Sequence, residues 1–121
     1  MSEKKPLIQE RSFEFAVRIV RLCQVLDEKP GVSRTLALQL LRAGTSVGAN
    51  VAEAQAGQSK KDFVAKMAIA AKEARETHYW LRLLTASEMI ENARLSPLLD
   101  EANQIVAILT AIIKTSQNPP Q

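Results

Sequence analysis

Apolar residues recur along the chain at steps of three and four, the spacing that places them on one face of an α-helix. The first such stretch predicts a helix from Glu10 to Asp27, ended by Lys29-Pro30-Gly31. Its inward stripe consists of Phe15, Ile19, Leu22 and Leu26. Other apolar residues flank this stripe, so more than half of the circumference is apolar. A helix of a free bundle buries about one side, which favours an interface with another copy. The alternative is that this helix is the most central one.

A second helix is predicted from an N-cap at Ser33 to about Ala56, with Gly57 in the favoured position after its end. Its second half is rich in small residues and contains Gly44 and Gly48. Each glycine inside a helix costs about 1 kcal/mol relative to alanine. We therefore expect another helix to approach closely there.

A third helix is predicted from an N-cap at Ser59 to about Ser87. The stretch from Glu88 to Leu95 is predicted to be a loop with weak helical character. Ser96 and Pro97 have the pattern of an N-cap and first helical residue, and a fourth helix is predicted to continue to about Thr115.

This pattern predicts an all-α fold, an antiparallel up-and-down four-helix bundle, since short connections favour antiparallel neighbours. We expect the bundle over residues 10–116, a flexible N-terminal tail over 1–9 and a disordered C-terminal stub over 117–121. Two long hairpins swapped between protomers are a less economical alternative.

Charge is distributed unevenly along the chain. Residues 1–87 hold 14 lysines and arginines against nine acidic residues, and residues 88–121 hold two against four. A basic body suits an anionic partner such as RNA or DNA, although a solvated helix surface that leans positive explains it equally well. The candidate nucleic-acid-binding residues are Arg18, Arg21, Lys60, Lys61, Lys66, Lys72, Arg75 and Arg82.

Polar residues also line one side of the second helix, at steps of four, four and three. With the turn at Gly57 as pivot, Arg42 should face Glu73 and Glu76 of the third helix, and a buried ion pair there would make Arg42→Ala strongly destabilising. We interpret this polar seam as a structural register lock, with a ligand site or a subunit interface as alternatives. Its members are Arg42, Ser46, Asn50, Glu53, Glu73 and Glu76.

Little in the sequence indicates an enzyme. Cys23 is the only cysteine and His78 the only histidine, and no Glu-x-x-His motif of a di-iron bundle is present. We expect no catalytic residues, no metal site and no cofactor, and a buried inert thiol at Cys23. Tyr79 and Trp80 could stack on bases near Arg75 and Arg82, although a tryptophan on a long helix is more often part of a core or interface.

The sequence also bears on localisation. No signal-peptide pattern follows the N-terminus, and no stretch approaches the roughly 20 apolar residues of a membrane span. A single cysteine is typical of a reducing compartment. We expect a cytoplasmic protein without membrane contact.

Two runs make the sequence recognisable. Residues 41–54, LRAGTSVGANVAEA, and residues 72–81, KEARETHYWL, closely resemble the signatures of the bacterial four-helix-bundle proteins of 23S ribosomal RNA intervening sequences. One departure is Ala54, followed by Gln55, where many members place glycine directly after the glutamate; here Gly57 ends the helix instead. The resemblance covers residues of roughly 10–115.

The resemblance implies an antiparallel four-helix bundle that assembles as a ring, often a homopentamer. Relatives include the accessory protein of diversity-generating retroelements, which is similar to a basic barrel that binds nucleic acid and a reverse transcriptase. The sequence and the resemblance together favour a non-enzymatic oligomeric protein that binds RNA, DNA or a nucleic-acid-processing partner. The alternative is a structural protein–protein interaction module without nucleic-acid binding.

Overall fold

The computed structural model describes residues 7–117, which form four α-helices in sequence order. They are α1 (Ile8–Leu26), α2 (Val32–Gln55), α3 (Lys60–Ala86) and α4 (Asn92–Gln117). Each helix packs against the next along the chain, whereas α1 and α4 contact each other much less. The fold is therefore the predicted all-α four-helix bundle, and the α1–α4 pair that closes it has the least extensive packing.

The bounds differ from the predicted ones at both ends of the chain. Ile8 and Gln9 already belong to α1 and Gln117 belongs to α4, so the predicted tail and stub are too long by these residues. The remainder of both predictions, residues 1–6 and 118–121, lies outside the described residues.

Small residues allow α1 and α2 to approach closely, as expected from the two helical glycines. A Cβ atom at Gly44 would lie 2.7 Å from Cγ2 of Ile19, and one at Gly48 would lie 3.1 Å from the carbonyl oxygen of Ser12. Both distances are shorter than ordinary van der Waals contact, so any larger residue would push the helices apart. The glycines are thus packing positions.

Two predicted caps have different outcomes. Ser59 caps α3 as predicted, because its hydroxyl accepts a hydrogen bond of 3.0 Å from the Asp62 amide. Ser33 does not cap α2, whose N-cap is Gly31 with φ of 91°. The Ser33 hydroxyl is buried and donates instead to the Leu26 carbonyl at 2.6 Å, which ties α2 to the end of α1.

The fourth helix begins earlier than the sequence suggested. It starts at Asn92, with the Glu91 carbonyl accepting from the Leu95 amide, and Pro97 lies inside it. Leu95 is completely buried, so these first turns extend the core. Pro97 lies beyond the first turn of α4, so the Ala93 carbonyl lacks the N–H donor that a residue at position 97 would otherwise supply.

The apolar content of α4 also exceeds what the sequence analysis expected. It is the one helix within residues 7–117 that is long and apolar enough to cross a membrane, with mean hydropathy of 1.2 over its best window. Of this window 22% is buried inside the bundle, and the buried residues of α4 include Leu98, Ala102, Ile105 and Leu109.

Candidate nucleic-acid interface

Arg42 on α2 faces two carboxylates on α3. Its Nη1 donates to Oε1 of Glu73 at 3.2 Å, and its Nη2 donates to Oε2 of Glu76. The predicted pairing is therefore present, but the Arg42 side chain is 52% exposed while that of Glu73 is 12% exposed. The strong destabilisation expected for Arg42→Ala is conditional on a buried pair, and Arg42 does not meet this condition because it reaches the carboxylates from the bundle surface. These three residues are called the charged cluster below.

The other three members of the predicted polar seam do not join the charged cluster. Asn50 donates to the carbonyl and hydroxyl of Ser46, at 2.9 and 3.1 Å, so both side chains bond within α2 and not across to α3. Glu53 is exposed and makes no side-chain hydrogen bond within residues 7–117. Of the six predicted seam residues, Arg42, Glu73 and Glu76 thus form the polar contact between α2 and α3.

Trp80 extends the charged cluster along α3. Its Nε1 donates to Oε2 of Glu76 at 3.1 Å. This hydrogen bond, assisted by Arg42, lowers the pKa of the Glu76 carboxyl against the opposing effect of its burial. The bonds to Glu76 and Glu73 raise the pKa of the Arg42 guanidinium. The Trp80 ring is half-buried and holds the Tyr79 ring edge-on, with centroids 5.2 Å apart and an interplanar angle of 74°.

Five of the six basic candidates on α3 lie within about a third of its circumference, and Lys66 lies apart from them. Lys60 and Lys61 are exposed at the first turn, and Lys66 is half-buried. Lys72 is exposed and lies close enough to Glu76 to contribute to its lowered pKa. Arg75 and Arg82 are the two candidates of this helix that line a groove shared with α4.

Arg75 and Arg82 lie in a groove of about 360 Å³ between α3 and α4, called the α3–α4 groove. The other side chains that line it are those of His78, Tyr79, Asn103 and Val106. No carboxylate is among them. His78, the only histidine of the sequence, is half-buried in this groove.

A second groove, of about 200 Å³, lies on the other side of α4 and is called the α1–α4 groove. Arg18 and Arg21 of α1 line it together with Arg94 of α4, over the apolar side chains of Leu22 and Leu98. Sequence reasoning missed Arg94, because it assigned this residue to a loop. The helical spacing of Arg94 and Leu98 was the signal that could have found it.

Ion pairing separates the arginines into two groups. Arg11, Arg34 and Arg42 are paired, Arg11 through a two-pronged contact with Glu101 at 2.7 and 3.1 Å. None of the five arginines in the two grooves forms an ion pair within the described part of the chain. All five are exposed, so their charge faces solvent.

The groove between α1 and α2 contains no basic residue and is lined mainly by apolar side chains. This groove has a volume of about 260 Å³ and is lined by Val20, Leu38 and Leu41 among others. Phe13 is 68% exposed and Leu38 64% exposed. Phe13, Val20, Leu38 and Leu41 are called the apolar face.

Cys23 lies under the apolar face and is buried, as predicted. Its Sγ is 3.4 Å from the Ala37 carbonyl, and burial raises the pKa of the thiol to about 11. A thiol with this pKa is a poor nucleophile at neutral pH. Within residues 7–117, no group of three or more His, Cys, Asp or Glu side chains is placed to hold a metal ion.

Comparison with known proteins assigns the chain to a family. A family model described as the 23S rRNA-intervening sequence protein matches residues 4–111. The chain belongs to this family. The family resemblance carried by residues 41–54 and 72–81 is thereby confirmed, over a match that includes α1 to α3 and most of α4. No similar protein is found among curated proteins.

A solved member of a ribosomal protein family has the same fold. It is a protein with unknown function from the S23 ribosomal protein family of Bacteroides thetaiotaomicron, 42% identical to this chain. The similarity covers 90% of this chain and 100% of that one, with a TM-score of 0.84. Family membership therefore establishes a helical bundle of the 23S rRNA-intervening sequence type. What the protein binds has to be argued from its side chains.

Proposed function

We propose that this member of the 23S rRNA-intervening sequence protein family is a non-enzymatic protein that binds nucleic acid through the two grooves beside α4. The observation that carries the proposal is the set of five exposed arginines that line these grooves without an ion-pair partner in residues 7–117. Arginine guanidinium groups recognise phosphate oxygens with paired hydrogen bonds.

The position of the arginines supports a contact on both sides of α4. Both grooves border this helix, with Arg18, Arg21 and Arg94 on one side and Arg75 and Arg82 on the other. Carboxylates that would repel phosphate are absent from both linings, and Glu101 of α4 is engaged by Arg11. The exposed Asp100 also lies on α4, so the positive charge is concentrated in the two grooves and not on the helix between them.

The experiment measures binding to an RNA and a DNA of mixed sequence at several salt concentrations. Replacing Arg18, Arg21, Arg75 and Arg82 in pairs by glutamine should weaken binding. The slope of log K against log salt should fall by about one for each phosphate that the variant no longer neutralises. The matched control is Arg34→Gln with Lys114→Gln, which removes the same charge from exposed positions outside both grooves.

Two outcomes would overturn the proposal. One is the absence of binding at low salt, where phosphate contacts are strongest. The other is an equal decrease of affinity in the groove variants and in the control, since that would trace binding to net charge and not to the grooves.

We also propose that the protein self-associates through the apolar face. A contiguous exposed apolar patch on a small protein is typical of an interface, and the resemblance to ring-forming relatives favours further copies of this chain, arranged in a closed ring such as a pentamer. The residues that support this are Phe13, Val20, Leu38 and Leu41, all on α1 and α2.

Light scattering tests this second proposal. Phe13→Glu with Leu38→Glu should lower the molar mass in solution to that of one chain, because burial of unpaired carboxylates in a repeated interface is unfavourable. Ile69→Glu, a control on α3, should leave the mass unchanged. A wild-type protein that is monomeric at high concentration contradicts the proposal.

A further inference from the structure

Tyr79 stands between two depressions on the bundle surface. On one side is the α3–α4 groove, and on the other is a depression of about 140 Å³ lined by Tyr79, Arg82, Leu83 and Ala86. Tyr79 and Arg82 belong to both. The Tyr79 residue is 55% exposed. A flat ligand can therefore approach this ring from solvent.

The Tyr79 ring packs edge-on against the neighbouring Trp80 ring of the same helix. Trp80 donates to the Glu76 carboxylate, which also accepts from Arg42 of α2. Edge-on packing is a preferred arrangement of two aromatic rings, and Tyr79 stays exposed to solvent beside it. Tyr79 is thus a partly exposed ring that is already oriented, which reduces the entropy cost when a ligand stacks on it.

Charged and polar groups surround the open part of the ring. Arg75, Tyr79 and Arg82 follow each other at steps of four and three and so share a side of α3. The two arginines are about 10 Å apart along the helix axis, which allows each guanidinium to contact a separate phosphate. Asn103 and His78 supply hydrogen-bonding groups in the same groove.

Resting on the nucleic-acid binding proposed above, we infer that the α3–α4 groove holds an unpaired segment of nucleic acid. One base stacks on Tyr79, and the flanking phosphates lie against Arg75 and Arg82. The segment must be single-stranded, because bases in a duplex are stacked on their neighbours and offer no free face to a side chain. A ring with arginines at either side is the combination that single-strand-binding surfaces use.

The test compares single-stranded RNA and DNA oligonucleotides with a duplex of equal length, using fluorescence anisotropy of the labelled strand. Tyr79→Leu should weaken single-strand binding about tenfold, the effect of removing one base stack, and should leave duplex binding nearly unchanged. Tyr79→Phe keeps the ring and should retain the affinity. Trp80 is the only tryptophan, so its emission should change on adding single strands to the wild-type protein.

The outcomes separate this inference from the proposed function. If the wild-type protein binds and Tyr79→Leu binds single strands of RNA and DNA as tightly as the wild type, the stacking site is wrong while binding through arginines stands. An equal decrease of single-strand and duplex affinity likewise overturns the stacking site. If the wild-type protein binds neither single strands nor duplex at low salt, the proposed function itself is wrong.

Discussion

Helix α3 has two sides with opposite electrostatic character. Toward α2, Arg42 is paired with both Glu73 and Glu76, so the charged cluster keeps an excess of negative charge. Toward α4, Arg75 and Arg82 share the α3–α4 groove with no acidic residue. In the sequence the acidic and basic residues of α3 belong to one stretch of mixed charge.

The difference shows that the pairing of a charge matters more than its presence. An arginine held by two carboxylates has a much weaker attraction for phosphate, whereas an arginine exposed in a groove without carboxylates retains it. Arg42 therefore fixes the packing of α2 on α3, and Arg75 and Arg82 are free to bind. Changing the charge on either side of α3 tests this division.

Reversing the charge of the unpaired side should have the largest effect. Arg75→Glu with Arg82→Glu is expected to weaken nucleic-acid binding by about a hundredfold, since two phosphate contacts are replaced by repulsion. Anisotropy titrations at fixed salt measure the change. Arg34→Glu with Lys114→Glu has the same net charge and should bind much more tightly than the groove variant. If the two variants bind nucleic acid with similar affinity, the groove arginines contribute no more than basic residues elsewhere on the surface.

Neutralising the acidic partners on the other side should have a smaller effect of opposite sign. Glu73→Gln with Glu76→Gln leaves Arg42 without a carboxylate, while the amide oxygen at position 76 can still accept from Trp80. We expect tighter binding and a salt slope steeper by about one. Glu28→Gln with Glu53→Gln, both exposed, controls for net charge and should give a weaker gain.

Removing the guanidinium of the charged cluster should have a modest effect on stability. Because Arg42 is largely exposed, its ion pairs are screened by water. We expect Arg42→Ala to lower the midpoint of thermal unfolding by about 5 °C or less, measured by circular dichroism. A decrease as large as that for truncation of the buried Met67 would show that the cluster is a core element after all.

The smallest effect should be the response of the charged cluster to acid. Because the pKa of Glu76 is lowered from its ordinary value of 4.5, its carboxylate stabilises the fold above that value. This contribution disappears as the pH falls through the lower pKa of the folded protein. Trp80 emission should change over the same range, and Glu76→Gln should abolish that change. A transition above the ordinary value would contradict the assigned direction.

Most of the fold could be predicted from the sequence because its signals are local. Apolar spacing located all four helices, Ser59 marked the start of α3, and the two glycines of α2 indicated a close helix contact. The start of α4 could not be placed from local signals, because a serine followed by proline is typical of a helix start. In the folded protein α4 already begins at Asn92, before that serine, and Leu95 in its first turns is buried in the core.

The candidate site was predicted in part. Arg18, Arg21, Arg75 and Arg82 were identified as candidates, but their division between two grooves depends on which neighbour covers each side of a helix. Periodicity defines the sides of a helix and not their neighbours. For the same reason Ser46 and Asn50 were assigned to an interhelical seam although they bond within α2.

The sparse contact between α1 and α4 has a consequence for the order of folding. The three well-packed helix pairs join neighbours in the chain and can form with short loops, whereas the Arg11–Glu101 contact joins residues 90 positions apart. Loop closure over this distance is entropically unfavourable until the rest has formed. We expect the α1–α4 contact to form after the folding transition state, so that Arg11→Ala accelerates unfolding and leaves the folding rate almost unchanged.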